Sequence, residues 1–341
     1  MPENHFPTGS ELNQPQHRRL TVELYEQMRN AIFAEFPEDV EELEVRCERT
    51  GTVATISGAV TDTTGQLSAD DFWTRMGDKP LFTNMSVEAG RPAEAAWALG
   101  LFPDWRELAS SGWNIVDLGA GNARADSRFS VSGSLAQSFY AQKRGFSVPL
   151  TDGRMFQMPK TATFRLYMMQ QLARWLARES GGEPNYPNAS NVLEWLVNEL
   201  APYQPIAKVR AAVEKLATQF GLGWGVTTVL HGLMDLGFWV VKPDVHLVRS
   251  VALLGCLNDS AAALSNPEKY LSHPDTLFEV VDVCRRFAPL ITPLPQSQHK
   301  SIREVDIVLM RASYRSIVDR YVNDSGEGKP DDADCETVSM V

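Results

Sequence analysis

The chain has 341 residues, of which 43% are hydrophobic and 22% are charged. That length allows one large domain or two ordinary ones, and the composition is typical of a globular protein with a core of normal size. No apolar run approaches the roughly 18 residues of a membrane helix, and residues 1–14 lack the basic and apolar segments of a secretory signal. We therefore expect a cytoplasmic protein that does not bind membranes.

The formal net charge of −11 is unevenly distributed along the chain. Residues 1–50 carry 5 basic and 11 acidic side chains, and residues 323–341 carry 1 basic and 6 acidic ones. These two ends account for the whole net charge, so the body between them is neutral. Within it, residues 151–250 hold 10 basic and 8 acidic side chains, which is compatible with a local nucleic-acid-binding face.

The 4 cysteines, Cys47, Cys256, Cys284 and Cys335, show no paired Cys-x-x-Cys spacing. This pattern argues against a zinc knuckle, an iron–sulfur cluster and a disulfide scaffold, and it is typical of a reducing compartment. We therefore predict no metal site built from cysteine.

The N-terminal part of the chain gives weak structural signals. Residues 1–19 are polar and are predicted to be flexible. Residues 20–150 form an N-terminal region of mixed structure to which the sequence assigns no function. Within it, the apolar spacing of residues 20–36 predicts a helix, and the Thr-, Val- and Gly-rich residues 50–68 predict a hairpin or an irregular loop.

The C-terminal part, residues 151–322, is predicted to be a helical body. Apolar periodicity predicts helices at 161–178, 190–201, 207–219, 225–236, 244–255, 275–287 and 300–321. Residues 323–341 are rich in Asp, Glu, Gly and Ser and are predicted to be a disordered acidic tail. The fold class expected for the whole chain is mainly α.

Two of these predicted helices are joined by a glycine-rich turn at 221–225. Gly221 and Gly223 permit a tight reversal with positive φ. With Gly225 they leave backbone N–H groups bare at the start of the second helix, where the helix dipole favours an anion such as a phosphate. A nearly neutral body can therefore hold DNA without a lysine at this point.

A carboxylate follows this helix pair at Asp244. Lys242 precedes a proline and is disfavoured from helix, so Asp244 is predicted to be the N-cap of the helix at 244–255. Capping alone would explain this aspartate, and a catalytic role needs the wider context of the segment.

That context resembles the helix-hairpin-helix (HhH-GPD) DNA glycosylase superfamily, which includes endonuclease III and the adenine-mismatch, 8-oxoguanine and 3-methyladenine glycosylases. The family pattern is a Gly-hydrophobic-Gly hairpin, a helix, and then an aspartate in an Asp-x-His-x-x-Arg context. Gly-Leu-Gly at 221–223 matches the hairpin, and Asp-Val-His-Leu-Val-Arg at 244–249 matches the second element. Gly223 and Asp244 are 21 positions apart, close to the family spacing.

The resemblance implies a two-lobed helical body that binds double-stranded DNA, flips a base out of the stack and hydrolyses its N-glycosidic bond. Asp244 would be the catalytic carboxylate, and the backbone of Gly221, Gly223 and Gly225 would bind DNA phosphate. Bifunctional members carry a lysine at the position of Gly225, so the resemblance implies a monofunctional enzyme that leaves an abasic site. It also implies at most one cofactor, a monovalent cation at the hairpin carbonyls.

The base pocket is less well defined than the carboxylate. Trp224, Phe238 and Trp239 are candidates for stacking on a base or contacting DNA, and core packing is the alternative for each. Arg249 is a candidate for a phosphate contact, with a structural role as the alternative. We expect a monomer, associated with the nucleoid if the protein is prokaryotic.

The sequence does not identify the base that is excised. Residues 1–150 match nothing in the superfamily, which favours an unusual substrate, such as a hypermodified phage base, over routine lesions. Base excision would then serve phage defence as well as DNA repair.

Two other classes of function stay open. A non-catalytic helix-hairpin-helix DNA-binding protein would keep the hairpin and have no need of Asp244. Residues 113–126 contain Asp117-x-Gly119-x-Gly121 and resemble motif I of S-adenosylmethionine-dependent methyltransferases. However, the alternating strands and helices of a doubly wound sheet do not follow this segment.

Overall fold

The computed structural model describes residues 20–40, 43, 69–82, 95–119, 121–122, 126–143, 147–149, 153, 155–157, 162–180, 195–294 and 301–323. The predictions for residues 1–19, for residues 50–68 and for the acidic tail beyond residue 323 lie outside the described residues.

The described part of the chain is mainly helical, as predicted. The helices of the N-terminal region include α1 (Val22–Glu35), α2 (Ala69–Met76), α3 (Lys79–Phe82), α4 (Trp105–Ala109) and α5 (Ser134–Lys143). Three strands lie in the described part of this region: β1 (Asn114–Asp117), β2 (Phe129–Ser132) and β3 (Ser147–Pro149). A fourth, β4 (Met155–Gln157), falls in the segment predicted to be helical, at its start, because it pairs with β3. They pair antiparallel as two separate ribbons, β1 with β2 and β3 with β4.

The helices of the C-terminal part include α6 (Ala162–Ser180), α7 (Ile206–Phe220), α8 (Val226–Asp235), α9 (Val245–Leu253), α10 (Ser260–Ser265), α11 (Pro267–Leu271), α12 (Pro274–Phe287), α13 (Ser301–Tyr314) and α14 (Ile317–Asn323). Residues 195–199, within the helix predicted at 190–201, are helical as well. Most agree with the helices predicted from apolar periodicity. The helix predicted at 300–321 is instead two helices, because Ser316 has a φ of 53° and interrupts it.

Helix α1 packs on the last two helices that the structure describes. Its first turn is capped by Thr21, whose Oγ1 accepts a hydrogen bond from the N–H of Leu24 at 3.1 Å. Its inner face contacts α13 and α14, where Arg29 donates to the fully buried carboxylate of Glu304 at 2.7 Å. A buried pair of this kind is costly to break, because either partner alone would leave an uncompensated charge.

One large hydrophobic core includes residues from both the N-terminal region and the C-terminal helices. Helix α6 crosses this core and contacts α3, α4, α7 and β1. Its Met168, Met169, Leu172 and Leu176 are fully buried, and each such side chain contributes about 1.5–3 kcal/mol of burial free energy.

A buried ionic cluster joins α3, α8 and α13. The Asp235 carboxylate on α8 accepts from Lys79 Nζ at 2.6 Å and lies 3.4 Å from a guanidinium nitrogen of Arg303. Burial opposes the charge of Asp235, but Lys79, His231 and Arg303 outweigh it and hold the pKa of this carboxyl below its usual range. Burial, with Lys242 nearby, lowers the pKa of His231 well below its usual value.

No helix among the described residues is both long enough and apolar enough to cross a membrane. The side chains of Cys256 and Cys284 are buried.

Candidate functional site

The glycine turn predicted at 221–225 is a closed hairpin between α7 and α8. Gly221 lies at φ 85° and ψ −154°, and its N–H donates to Ala217 O at 3.1 Å. The turn is closed by the N–H of Trp224, which donates to Gly221 O at 3.1 Å, and by that of Gly225, which donates to Gly223 O at 3.0 Å. The hairpin geometry therefore depends on backbone angles that residues other than glycine rarely adopt.

Gly223 is required for a second reason, which is contact with α6. Its φ is 92°, and a Cβ at this position would lie 2.6 Å from the side chain of Met168 and 2.8 Å from the ring of Phe164. Gly221 and Gly225 differ, because a Cβ at either would meet nothing within 4 Å. The middle glycine of the hairpin thus packs against α6, and the two flanking glycines are exposed.

The side chain of Trp224 attaches the hairpin to α6 and to the end of α7. Its side chain is only 2% exposed, its ring packs edge-on against Phe220, and its Nε1 donates to Met168 O at 2.9 Å. The position of this indole supports core packing and does not support a contact with DNA or a base.

The start of α8 has backbone donors that no side chain caps. The N-cap residue Gly225 has no side-chain capping bond, and the hydrogen bond from Val229 N to Gly225 O, at 3.1 Å, closes the first helical turn. The N–H groups of residues 226–228 belong to the four that have no partner within a helix. Together with the helix dipole they suit an oxyanion such as a DNA phosphate.

Asp244 is the N-cap of α9, as predicted. Its Oδ1 accepts hydrogen bonds from the N–H groups of His246 and Leu247, both at 2.9 Å. Its Oδ2 makes no hydrogen bond within the part of the chain that the structure describes. The carboxylate is therefore held in one orientation by Oδ1, and Oδ2 is left for a substrate or a water molecule.

The structure adds a residue that the sequence analysis missed. Tyr314 ends α13 with 57% of its surface exposed, and its ring meets that of His246 at a centroid distance of 5.5 Å. The packing of α9 on α13 brings these residues together, and no short-range sequence pattern relates them. Nearby, Arg249 is exposed and pairs with Asp319 on α14 at 3.3 Å.

The remaining candidates for the base pocket, Phe238 and Trp239, are buried or partly buried. Phe238 is 4% exposed and belongs to the core, so its position does not support contact with a base. Trp239 is partly buried, and its Nε1 donates to Arg285 O at 3.3 Å. Arg285 in turn donates to the carbonyl of Trp239 and to carbonyls of the loop at 200–204. This mutual bonding orders the segment that leads to Asp244.

The helices that pack around the hairpin differ from those that pack around the helix capped by Asp244. Helix α7 packs with α6, α8 and α12, and α8 also contacts α2 and α3. Helix α9 packs with α10, α11, α12, α13 and α14. Helix α12 contacts both α7 and α9, so it links the hairpin to the helix that Asp244 caps.

The glycine motif at 113–126 has a different setting from the one a methyltransferase requires. Strand β1 pairs antiparallel with β2, whereas motif I of a methyltransferase follows a strand of a parallel sheet. Both oxygens of Asp117 are bonded to Arg128, at 2.6 and 2.8 Å, and Oδ1 also accepts from Gly119 N at 2.9 Å. These hydrogen bonds use the carboxylate of Asp117 to hold its own loop together. The structure therefore does not support the methyltransferase alternative.

The chain matches no protein-family model, no curated protein and no solved structure. Within the described ranges, no group of three or more His, Cys, Asp or Glu side chains is arranged to hold a metal ion.

Proposed function

We propose that this protein is a monofunctional DNA glycosylase that hydrolyses the N-glycosidic bond of a damaged or modified base and leaves an abasic site. The observation that carries the proposal is the geometry of Asp244, whose Oδ1 is fixed by two backbone N–H groups while Oδ2 has no partner in the described chain. The glycine hairpin supports it by offering bare backbone donors for the phosphate of double-stranded DNA.

The proposed chemistry uses a single carboxylate. The base leaves the stack at a cost of a few kcal/mol, and cleavage of its bond to C1′ develops positive charge on the deoxyribose. Oδ2 of Asp244 stabilises that charge and orients the water whose oxygen bonds to C1′. The water proton passes to the carboxylate, and the electron pair of the broken bond leaves with the base.

The absence of an amine at Gly225 determines the product. A lysine at this position would attack C1′ and form a Schiff base, which leads to strand cleavage. Glycine has no nucleophile, so water is the acceptor and the strand stays intact. An open abasic site is therefore the expected product.

The hairpin carbonyls also fit the monovalent cation that the resemblance implies. Gly221 O and Gly223 O each accept one backbone hydrogen bond, and a carbonyl oxygen keeps a second lone pair. A cation held there by these oxygens would supply positive charge beside the bound phosphate.

The N-terminal region supports the choice of an unusual base as substrate. Its helices α2 and α3 contact α8, the second helix of the hairpin pair, and Lys79 on α3 is ion-paired to Asp235 on α8. A region with no counterpart in the resemblance thus lies against the proposed DNA-binding helix. We propose a bulky, hypermodified base, with phage defence as the corresponding biological role.

A specific observation favours a second candidate function. Two capping bonds give Asp244 a structural role that needs no chemistry. A non-catalytic helix-hairpin-helix DNA-binding protein would therefore explain the same aspartate.

Release of free bases from DNA tests the proposal. Purified protein is incubated with duplexes carrying alkylated, oxidised, deaminated or hypermodified bases, and the released bases are quantified by mass spectrometry. Asp244→Asn keeps the cap, because asparagine caps as well as aspartate, but it removes the charge. The matched control is Asp259→Asn, which alters the aspartate that caps α10 through Ala262 N at 2.9 Å.

We expect wild type and Asp259→Asn to release one kind of base, and Asp244→Asn to be slower by at least about 100-fold with DNA affinity retained. Equal turnover by Asp244→Asn would refute the role of this carboxylate. DNA binding without any base release would favour the non-catalytic alternative, and release of common lesions with hypermodified DNA left intact would refute the proposed substrate.

A further inference from the structure

The exposed ring of Tyr314 lies beside the first turn of α9. His246 connects Tyr314 to Asp244. Its ring stands nearly perpendicular to that of Tyr314, at 84°, and its backbone N–H donates to Asp244 Oδ1 at 2.9 Å. A ligand that rests on Tyr314 therefore lies next to the helix turn that orients the proposed catalytic carboxylate.

Two guanidinium groups lie over the same ring. The guanidinium carbons of Arg311 and Arg315 lie 5.6 and 5.4 Å from the ring centroid of Tyr314. Both arginines are held in place by Asp39, at 3.4 Å from Arg311 and 3.2 Å from Arg315. The ring and its cations thus form an ordered surface that we call the Tyr314 platform: Tyr314, His246, Arg311 and Arg315.

The chemistry of the platform fits a nucleobase. Proteins that hold unpaired bases combine aromatic rings, on which a base stacks, with neighbouring arginines. Tyr314 is 57% exposed as a residue and lies at the end of a packed helix. Its ring loses little conformational freedom on stacking, because its backbone and its cationic neighbours are already ordered.

We infer that Tyr314 stacks on a base of the bound DNA that has left the helix, and so positions its nucleotide beside Asp244. This inference rests on the proposed function and specifies the residue that receives the base, which neither the hairpin nor the buried Trp224 and Phe238 provide. Because a ring reads only the flat face of a base, the platform tolerates large substituents at the base edge. This property fits the bulky substrate proposed above.

The probe is a duplex with 2-aminopurine opposite an abasic site, where the fluorescent base leaves the stack readily. The full chain is compared as wild type, Tyr314→Ala, Tyr314→Phe and Tyr314→Trp. Tyr203→Ala is the matched control, because Tyr203 is also exposed, at 78%, but lies in the loop before α7. Affinity and the quenching of 2-aminopurine are measured at several salt concentrations.

We expect Tyr314→Ala to lose about 5- to 150-fold in affinity together with the quenching. Tyr314→Phe and Tyr314→Trp keep a ring and should keep both, and Tyr203→Ala should match wild type. The salt dependence should not change in Tyr314→Ala, because no phosphate contact is removed.

Each contrary outcome has a distinct meaning. Wild-type affinity and quenching in Tyr314→Ala would overturn the inference while leaving the proposed function intact, as would an equal loss in Tyr314→Phe. A loss confined to Tyr314→Ala in a protein that releases no base would uphold the platform and overturn the glycosylase activity. A wild-type protein that binds no DNA would overturn both.

Discussion

Replacement of each hairpin glycine by alanine should give three different losses of stability. At Gly221 the backbone lies in a region essentially reserved for glycine, which costs another residue about 1–3 kcal/mol. At Gly223 the positive φ costs about 1–2 kcal/mol, and the crowding against Met168 and Phe164 adds about 1–3 kcal/mol, so about 2–5 kcal/mol is expected. At Gly225, with φ −73° and open space, only the preference for glycine over alanine as N-cap applies, about 0.5–1 kcal/mol.

The assay is urea unfolding followed by tryptophan fluorescence, with the free energy of unfolding extrapolated to water for wild type and the three variants. An unchanged dependence on urea would show that the same surface is exposed in each. The order of losses should be Gly223, Gly221, Gly225. A loss at Gly225→Ala as large as that at Gly223→Ala would refute the reasoning, because only the hairpin geometry distinguishes the two positions.

Three further predictions concern Arg285, His231 and Gly225. Arg285→Ala should destabilise the protein by about 2–5 kcal/mol in urea unfolding, because it removes the donor to the buried or partly buried carbonyls of Leu200, Gln204 and Trp239. The neighbouring Arg286→Ala, on a partly exposed pair with Asp282, should cost under about 1 kcal/mol. Equal losses in the two variants would contradict this account. Folding lowers the pKa of His231, so as the pH decreases the unfolded chain takes up this proton before the folded chain does. Stability should therefore fall as the pH decreases below about 6.5, and His231→Gln should flatten that slope in unfolding titrations. A variant with the wild-type slope would show that His231 is not the cause. If the proposed function holds, Gly225→Lys, at a position open to a side chain, should form a Schiff base that borohydride traps on DNA, and the absence of any trapped adduct would count against the match of Gly225 to the lysine of bifunctional enzymes.

Much of the helical content was predictable from local pattern. The apolar spacing of α6, α7 and α9 indicated these helices within a few residues, because one face of each is buried and the periodicity records that face. The N-cap at Asp244 was predictable for a similar reason, since Pro243 and the aspartate act on the backbone within one turn. The break at Ser316 was not predictable, because neither Gly nor Pro marks it.

The positions of the aromatic side chains were not predictable in the same way. Trp224 and Phe238 lie close in sequence to the glycine turn and to Asp244, and both are buried. Tyr314 is distant in sequence and lies at the surface beside His246. An aromatic residue has the same local pattern whether its ring faces a neighbouring helix or solvent, so only helix packing distinguishes the two.

The sequence by itself determined the mainly helical class, the glycine turn between two helices and the capping aspartate, because each of these depends on interactions within a few residues along the chain. Only the tertiary structure decided that Gly223 lies against α6, that α2 and α3 pack on the second hairpin helix, and that Tyr314 lies beside the helix capped by Asp244. These relations depend on which helix faces meet in the shared core, and such contacts join residues far apart in the chain, where local spacing carries no information about them.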